Sequence, residues 1–197
     1  MFKSVDSNVD LPKLENEVSE YWDSISAFKT SVENRKDEKV FRFYDGPPFP
    51  TGSPHYGNLL AGVIKDIVPR YWTMRGYYVE RRFGWDVHGL PIEMEVQKNL
   101  NLEDPQQIDE FGIDKFNEAC RSQVQTNTEN WEKITRKIGR WVDFENDYKT
   151  MDIDFMESVW WVFKELWSKG LIYQDYKVLP YSWAASTPLS NFEANMD

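Results

Sequence analysis

Four side chains, His55, Asn58, Asp86 and His88, stand in two glycine-containing turns, and the first turn has the makings of a phosphate site. His55 and Asn58 fall near the end of the stretch Phe41-Arg-Phe-Tyr-Asp-Gly-Pro-Pro-Phe-Pro-Thr-Gly-Ser-Pro-His-Tyr-Gly-Asn-Leu-Leu-Ala-Gly62. A helix that begins after such a turn presents unpaired backbone N–H groups and the positive end of its dipole, and both attract phosphate. An imidazole and a carboxamide add side-chain donors at the same place. Asp86 and His88 belong to the second turn, Gly84-Trp-Asp-Val-His-Gly-Leu-Pro91.

These side chains need elements to hold them. Val40 to Tyr44 reads as a short buried strand, followed by the Gly-Pro turn and an amphipathic helix. In that helix Leu60, Val63, Ile64, Ile67, Val68 and Tyr71 mark one buried face; Pro69 is expected to kink or finish it, and Arg75-Gly76 to end it. Tyr77 to Phe83 reads as a second strand. Ligands of an open α/β sheet sit at the carboxyl ends of its strands, so the two turns should face one crevice.

Ahead of this, Asp10 caps a helix with Pro12 in its first turn and a stripe of Leu14, Val18, Tyr21, Trp22 and Ile25, an arm on a larger body. Glu33 to Lys39 is a charged, solvated connector. From Glu93 to Trp141 the pattern is helical, with Asp104-Pro105 as N-cap and first-turn pair. Phe116, Ala119, Cys120, Trp131, Ile134, Ile138 and Trp141 supply its buried positions, and the basic run Lys133 to Arg140 reads as a solvated face. Asp152 or Asp154 caps a further helix that packs Phe155, Val159, Val162, Phe163 and Leu166 inward and ends at Gly170. Trp160-Trp161 reads as core or interface, and Leu171–Tyr173 and Lys177–Tyr181 as strands.

Composition narrows the function. The net charge of −10 and pI near 4.8 argue against a main nucleic-acid grip in this segment, because affinity for a phosphate backbone comes largely from Lys and Arg. The lone Cys120 excludes an internal disulfide and a Cys-clustered metal site. Neither a signal core nor a membrane-length apolar run is present, so a reducing cytoplasmic setting without membrane is expected. The 31 aromatic residues (9 Trp, 10 Tyr, 12 Phe) imply large internal surfaces or interfaces.

At Asp45-Gly-Pro-Pro-Phe-Pro-Thr-Gly-Ser-Pro-His-Tyr-Gly-Asn58 the chain resembles the class I aminoacyl-tRNA synthetases, whose adenylation signature is His-x-Gly-His at a Rossmann helix start. Gly84-Trp-Asp-Val-His-Gly-Leu-Pro-Ile-Glu93 looks like the isoleucine-specific version of the following turn. Gly139-Arg-Trp-Val-Asp-Phe144, Met156-Glu-Ser-Val-Trp-Trp161 and Thr187-Pro-Leu-Ser-Asn-Phe-Glu193 also resemble isoleucyl-tRNA synthetases of the cytosolic eukaryotic type. The likeness runs over nearly the whole chain, in order.

The resemblance implies an α/β fold, the N-terminal half of a class I Rossmann catalytic domain with an N-terminal helical arm and a helical insertion. The expected divisions are an arm at 1–39, the half domain at 40–181, and the start of a connection to an editing insertion at 182–197. It implies ATP-dependent activation of isoleucine to isoleucyl-adenylate and transfer to tRNA(Ile), which other segments would mostly hold. Such chemistry needs donors and positioning rather than a nucleophile. His55 would donate to the phosphates, with Asn58 and Thr51 beside it, and Gly57 would leave room for the nucleotide. Asp86 would hold the substrate ammonium, and Gly46 and Pro47 would line the amino-acid pocket through their backbone. His88 reads equally as a structural histidine or a substrate-side group.

The chain departs from the family pattern in three ways. Asn58 replaces the second signature His. Ser182-Trp-Ala-Ala185 stands where some bacterial relatives carry Cys-x-x-Cys, so no zinc is expected, while magnesium is implied alongside ATP. No Lys-Met-Ser-Lys-Ser segment occurs, so this chain alone is expected to be inactive. The alternative readings are a truncated, non-catalytic binding or regulatory module, and a different amino-acid specificity such as valine.

Overall fold

The computed structural model describes residues 8–183, 186–191 and 194. They form two compact units, Met1–Met156 and Glu157–Asp197. The first begins with α1 (Leu11–Ser24), capped by the Asp10 carboxylate, which accepts from Lys13 N at 3.1 Å, and α2 (Ala27–Glu33). Then come α3 (Tyr56–Met74), β1 (Arg82–Trp85), α4 (Leu90–Leu100), α5 (Pro105–Phe111), α6 (Ile113–Lys137) and β2 (Asp143–Lys149).

The expected first strand is a single parallel bridge between Val40 and Tyr78, and Val40 and Tyr44 are exposed. Phe41 N donates to Tyr78 O, and Tyr78 N to Lys39 O. Beyond this point Pro47, Pro48 and Pro50 offer no N–H, so a ladder cannot continue. The second strand is also displaced: Arg82–Trp85 replaces Tyr77–Phe83. It pairs in parallel with β2, where the polar run Asp-Phe-Glu-Asn-Asp-Tyr-Lys hid a strand from periodicity. The register jumps from Arg82↔Asp143 to Gly84↔Tyr148, a bulge closed by the Asp143 carboxylate, which accepts from Glu145 N, Asn146 N and Asn146 Nδ2. Burial opposes ionisation of Asp143, but the Asn146 side chain, these N–H groups and Arg82 outweigh it and hold its carboxyl below the usual range.

The core lies between the β1–β2 pair and the helices α4 to α6. Phe83, Trp85, Val87, Ile92, Val96, Phe116, Val124, Trp131 and Val142 form it, with Phe83 stacked on Phe144 and Trp85 edge-on to Trp131. The helical span 93–141 is thus three helices, α5 starting from the Asp104 cap on Gln107 N. Phe116 and Trp131 are fully buried, and Ala119, Cys120, Ile134, Ile138 and Trp141 half-buried. Burial raises the Cys120 thiol, with Glu93 adding to the effect.

Two apolar faces are turned the other way. Leu60, Val63, Ile64, Ile67, Val68 and Tyr71 of α3 are exposed, and the buried positions are Gly62, Pro69 and Thr73. Pro69 does not end α3, which continues to Met74; the Pro69 carbonyl accepts from Thr73 Oγ1 and from buried Arg81. Burial, opposed by Asp66 and reinforced by Arg70 and Arg35, lowers the Arg81 pKa to about 10. The arm meets this body where Arg70 lies over the rings of Trp22 and Trp141, which are themselves edge-on. Only Val18 and Trp22 of the expected α1 stripe are even half-buried.

Helix α7 (Ile153–Ser168) starts after Asp152 and likewise exposes Val159, Trp160, Trp161, Val162, Phe163, Leu166 and Trp167, against the inward packing expected. The reason is the same in both helices: a stripe is buried only where another element covers it, and the described residues bring none to these faces. Gly170, at φ +66°, ends the helix as expected. Of the late strand candidates only Tyr181 pairs, in the two-residue strand β3 (Tyr181–Ser182) antiparallel to β4 (Thr187–Pro188); 171–180 has no ladder.

Candidate functional site

The segment from Asp45 to Pro54 has few donors of its own, so its shape is set by groups that reach its carbonyls. Lys65 Nζ donates to Gly46 O at 2.7 Å, Asp86 N to Pro48 O at 2.9 Å, and Trp131 Nε1 to Gly52 O at 2.9 Å. Tyr148 OH reaches Asp45 O at 3.4 Å, and Asn130 Nδ2 reaches Ser53 Oγ at 3.1 Å. The segment is therefore tied to α3, β1, β2 and α6 in turn.

At its end His55 is the N-cap of α3. Its Nδ1 accepts from Gly57 N at 3.1 Å and Asn58 N at 3.4 Å, while His55 N donates to Asn58 Oδ1 at 3.0 Å. This is a reciprocal capping box. It fixes the chemistry of both side chains. A ring whose Nδ1 accepts carries its neutral-form proton on Nε2, and an amide whose oxygen is engaged keeps its NH₂ as the remaining donor. Two backbone N–H groups expected to be free for phosphate are thus taken up by the imidazole, which leaves Nε2–H as the donor of an exposed ring. Gly57 leaves the imidazole room to sit there, since a Cβ would lie 3.0 Å from His55 Cε1 and push the ring aside.

Behind this mouth is a cavity of about 50 Å³ lined by Asn58, Gly62, Lys65, Trp131 and Arg140 among others. It has room for a few waters and is far too small for a nucleotide.

Asp86 directly follows β1 and is half-buried, its backbone joined to Pro48. Asp86 thus meets the segment at Pro48, two residues after Gly46 and next to Pro47, while the capping box joins His55, Gly57 and Asn58; Thr51 lies in the segment between. His88 joins neither: it is exposed between buried Val87, whose N–H donates to Thr150 Oγ1 at 2.9 Å, and Gly89 at φ +99°.

Several contributors were not evident in the sequence. Asp45 has a 5% exposed carboxylate paired with Lys65 at 2.6 Å and with Arg140. Arg140 is consequently buried, against the expectation that the run 133–140 is solvated, because its charge is met by Asp45 and its guanidinium stacks over Phe83. Tyr148 lies across Gly84, where a Cβ would come within 2.2 Å of the phenol ring. Burial first, then Asp45 and Asp86, push that phenol up, with Arg82 opposing. The one signal in the sequence was Lys65-Asp66, a charged pair in the middle of an apolar helix.

Among the described residues no group of three His, Cys, Asp or Glu could hold a metal ion; Ala185, one end of the segment where zinc was not expected, lies outside them. No helix of the described residues is long and apolar enough to cross a membrane.

The chain is similar in sequence to known proteins along nearly its whole length. The chain is 55% identical over 196 residues to the isoleucine–tRNA ligase of Anaplasma marginale and 56% identical over 188 residues to that of Mycobacterium tuberculosis, covering 100% and 95% of this chain. It is 55% identical over 186 residues, 94% of its length, to the cytoplasmic isoleucine–tRNA ligase of Arabidopsis thaliana. It spans only 18% of each bacterial relative and 16% of the plant one. Among solved structures, the Agrobacterium radiobacter K84 agnB2 LeuRS, in a ternary complex with tRNA and LeuAMS, superposes with a TM-score of 0.62. That likeness covers 90% of this chain and 20% of that one at 23% identity, and it supports the fold: the first part of a class I Rossmann-type catalytic domain. The family described as tRNA synthetases class I (I, L, M and V) matches residues 17–197, and the chain belongs to it.

Proposed function

We propose that this chain carries one side of the adenylation site of an isoleucine–tRNA ligase, which activates isoleucine with ATP and transfers it to tRNA(Ile). The observation that carries the reading is the 55–56% identity to isoleucine–tRNA ligases across the chain, both turns included. It also disfavours a truncated non-catalytic module. A cytoplasmic setting fits the plant relative.

In the reaction the isoleucine carboxylate attacks the α-phosphate of ATP in line, forms the acyl–phosphate bond and expels pyrophosphate. Charge builds on the phosphate oxygens, so donors fixed in advance stabilise the transition state. His55 Nε2–H and the Asn58 NH₂ fill that role at the mouth of α3, with Thr51 alongside. Their capping box holds both without reorganisation. Asp86 meets the isoleucine ammonium, a charge-assisted contact, and Gly46 and Pro47 form the wall beside it. The family implies magnesium alongside ATP; the described residues offer it no three-ligand cluster, and no step here depends on it.

On this reading residues 1–39 are an arm, 40–181 the half domain and 182–197 the start of a connection. The end of α2 at Glu33, ahead of the bridge at Val40, supports the first boundary. The test is amino-acid-dependent pyrophosphate exchange by the full-length gene product. Exchange driven by isoleucine and far less by valine supports the proposal; preference for valine, or none with either, refutes it.

A further inference from the structure

The Gly46–Pro47 peptide has only one polar handle. Its nitrogen belongs to Pro47 and carries no hydrogen, so the peptide can be fixed only through the Gly46 carbonyl. On the Gly46 side there is no packing to assist, because Gly46 is exposed and a Cβ there would meet nothing within 4 Å. The group that holds the carbonyl is Lys65 Nζ, 2.7 Å away. The next peptide nitrogen is Pro48, again without a hydrogen, and the next anchored point is Pro48 O on Asp86 N. The wall is therefore pinned at two carbonyls, and at its Gly46 end the pin is one ammonium.

That ammonium is itself held in place. It lies 2.6 Å from Asp45 Oδ1, while Arg140 occupies the other carboxylate oxygen. The Asp45 and Arg140 side chains are 5% and 7% exposed and Lys65 is 27% exposed, so the carboxylate sits largely out of water between two cations. A pair of this kind is costly to break by removing one partner, which makes it a stiff mount. Lys65 comes from the third turn of α3, the helix whose mouth carries His55, so one rigid element carries both.

We propose that Lys65 is a positioning residue for the amino-acid pocket: it fixes the Gly46–Pro47 peptide, and Asp45 with Arg140 fixes Lys65. The proposal rests on the reading of Gly46 and Pro47 as the wall of that pocket. Lys65 touches neither reactant; it acts through the carbonyl it holds.

The test uses the full-length gene product with Lys65→Met, which keeps the side-chain stem and loses the charge and the donor. Losing one charged hydrogen bond that preorganises binding should raise the isoleucine KM about tenfold, with a much smaller change in the ATP KM and the larger part of the effect in KM rather than kcat. A merely structural ion pair predicts something else: less active protein, hence lower apparent kcat, at unchanged isoleucine KM. That result, or an equal rise in both KM values, overturns the proposal. Should Lys65→Met fail to fold, Lys65→Gln retains a donor for Gly46 and leaves Asp45 paired with Arg140. Its donor is neutral and shorter and has lost the Asp45 clamp, so the isoleucine KM should rise about two- to threefold at an unchanged ATP KM; an equal rise in both KM values, or a lower apparent kcat alone, overturns the proposal. If the unsubstituted protein shows no isoleucine-dependent exchange, the adenylation reading itself fails and the role of Lys65 falls with it, an outcome distinct from an active enzyme insensitive to Lys65.

Discussion

Replacing Gly57 by Ala separates the site from the fold. Gly57 does not have a left-handed φ, so alanine fits its backbone without strain, and the single consequence is steric. The new Cβ would stand 3.0 Å from His55 Cε1 and 3.1 Å from Nδ1, so the exposed ring must shift by a few tenths of an ångström. That weakens the 3.1 Å contact from Gly57 N to Nδ1, a capping interaction worth about 1 kcal/mol. Against it, glycine to alanine in a helix gains up to about 1 kcal/mol. The two terms nearly cancel, and thermal unfolding of the full-length protein should move by no more than a few degrees. Catalysis has no such compensation, since the displaced ring carries the Nε2 donor; misplacement of this size should lower isoleucine-dependent pyrophosphate exchange about tenfold. Exchange within twofold of the parent would refute the role given to His55, and a stability loss above about 3 kcal/mol would refute the local steric account.

Three further outcomes are expected. Asn58→His keeps an imidazole nitrogen to accept from His55 N and a second nitrogen to donate, so ATP affinity measured by exchange kinetics should be similar or better; a large loss of adenylate formation contradicts the assignment. Asp143 has a lowered carboxyl pKa in the fold, so its ionised form contributes stability that is full above the unfolded-state value near about 4 and is lost as pH falls through the folded one. Asp143→Asn should therefore destabilise at pH 7, and the gap to the parent in denaturant melts should close on acidification; a gap independent of pH excludes the electrostatic origin. The 197-residue chain alone, with the α3 and α7 faces exposed, should aggregate in light-scattering assays and show no isoleucine-dependent exchange; a soluble, active preparation would overturn both expectations.

Some of this was readable from neighbours along the chain. The caps at Asp10 and Asp104 and the glycine stops at Gly76 and Gly170 depend on groups within a few residues, so local chemistry specifies them; the cap at His55 is as local, but an imidazole beside a Gly-Pro turn reads first as a phosphate donor. The same holds for the order of turn, helix and turn that brings His55, Asn58 and Asp86 into the argument. Strand positions were less legible. The 40–44 run looks like a strand by composition yet lies next to prolines that cannot ladder, and β2 is polar because its bulge is built from Asp143 and Asn146.

What the sequence by itself determined is the family, the caps of α1 and α5, the stops after α3 and α7 and the residues at the mouth of α3, all of which follow from residue type at short range. Only the tertiary structure decided which side of α3 is covered, that Arg140 is buried on Asp45 rather than solvated, and that Lys65 reaches back 19 residues to Gly46. An apolar stripe states that a face avoids water, not what will cover it, and a charge states no partner. Those choices are made when distant segments meet, and here they form the mount on which the 45–54 segment rests.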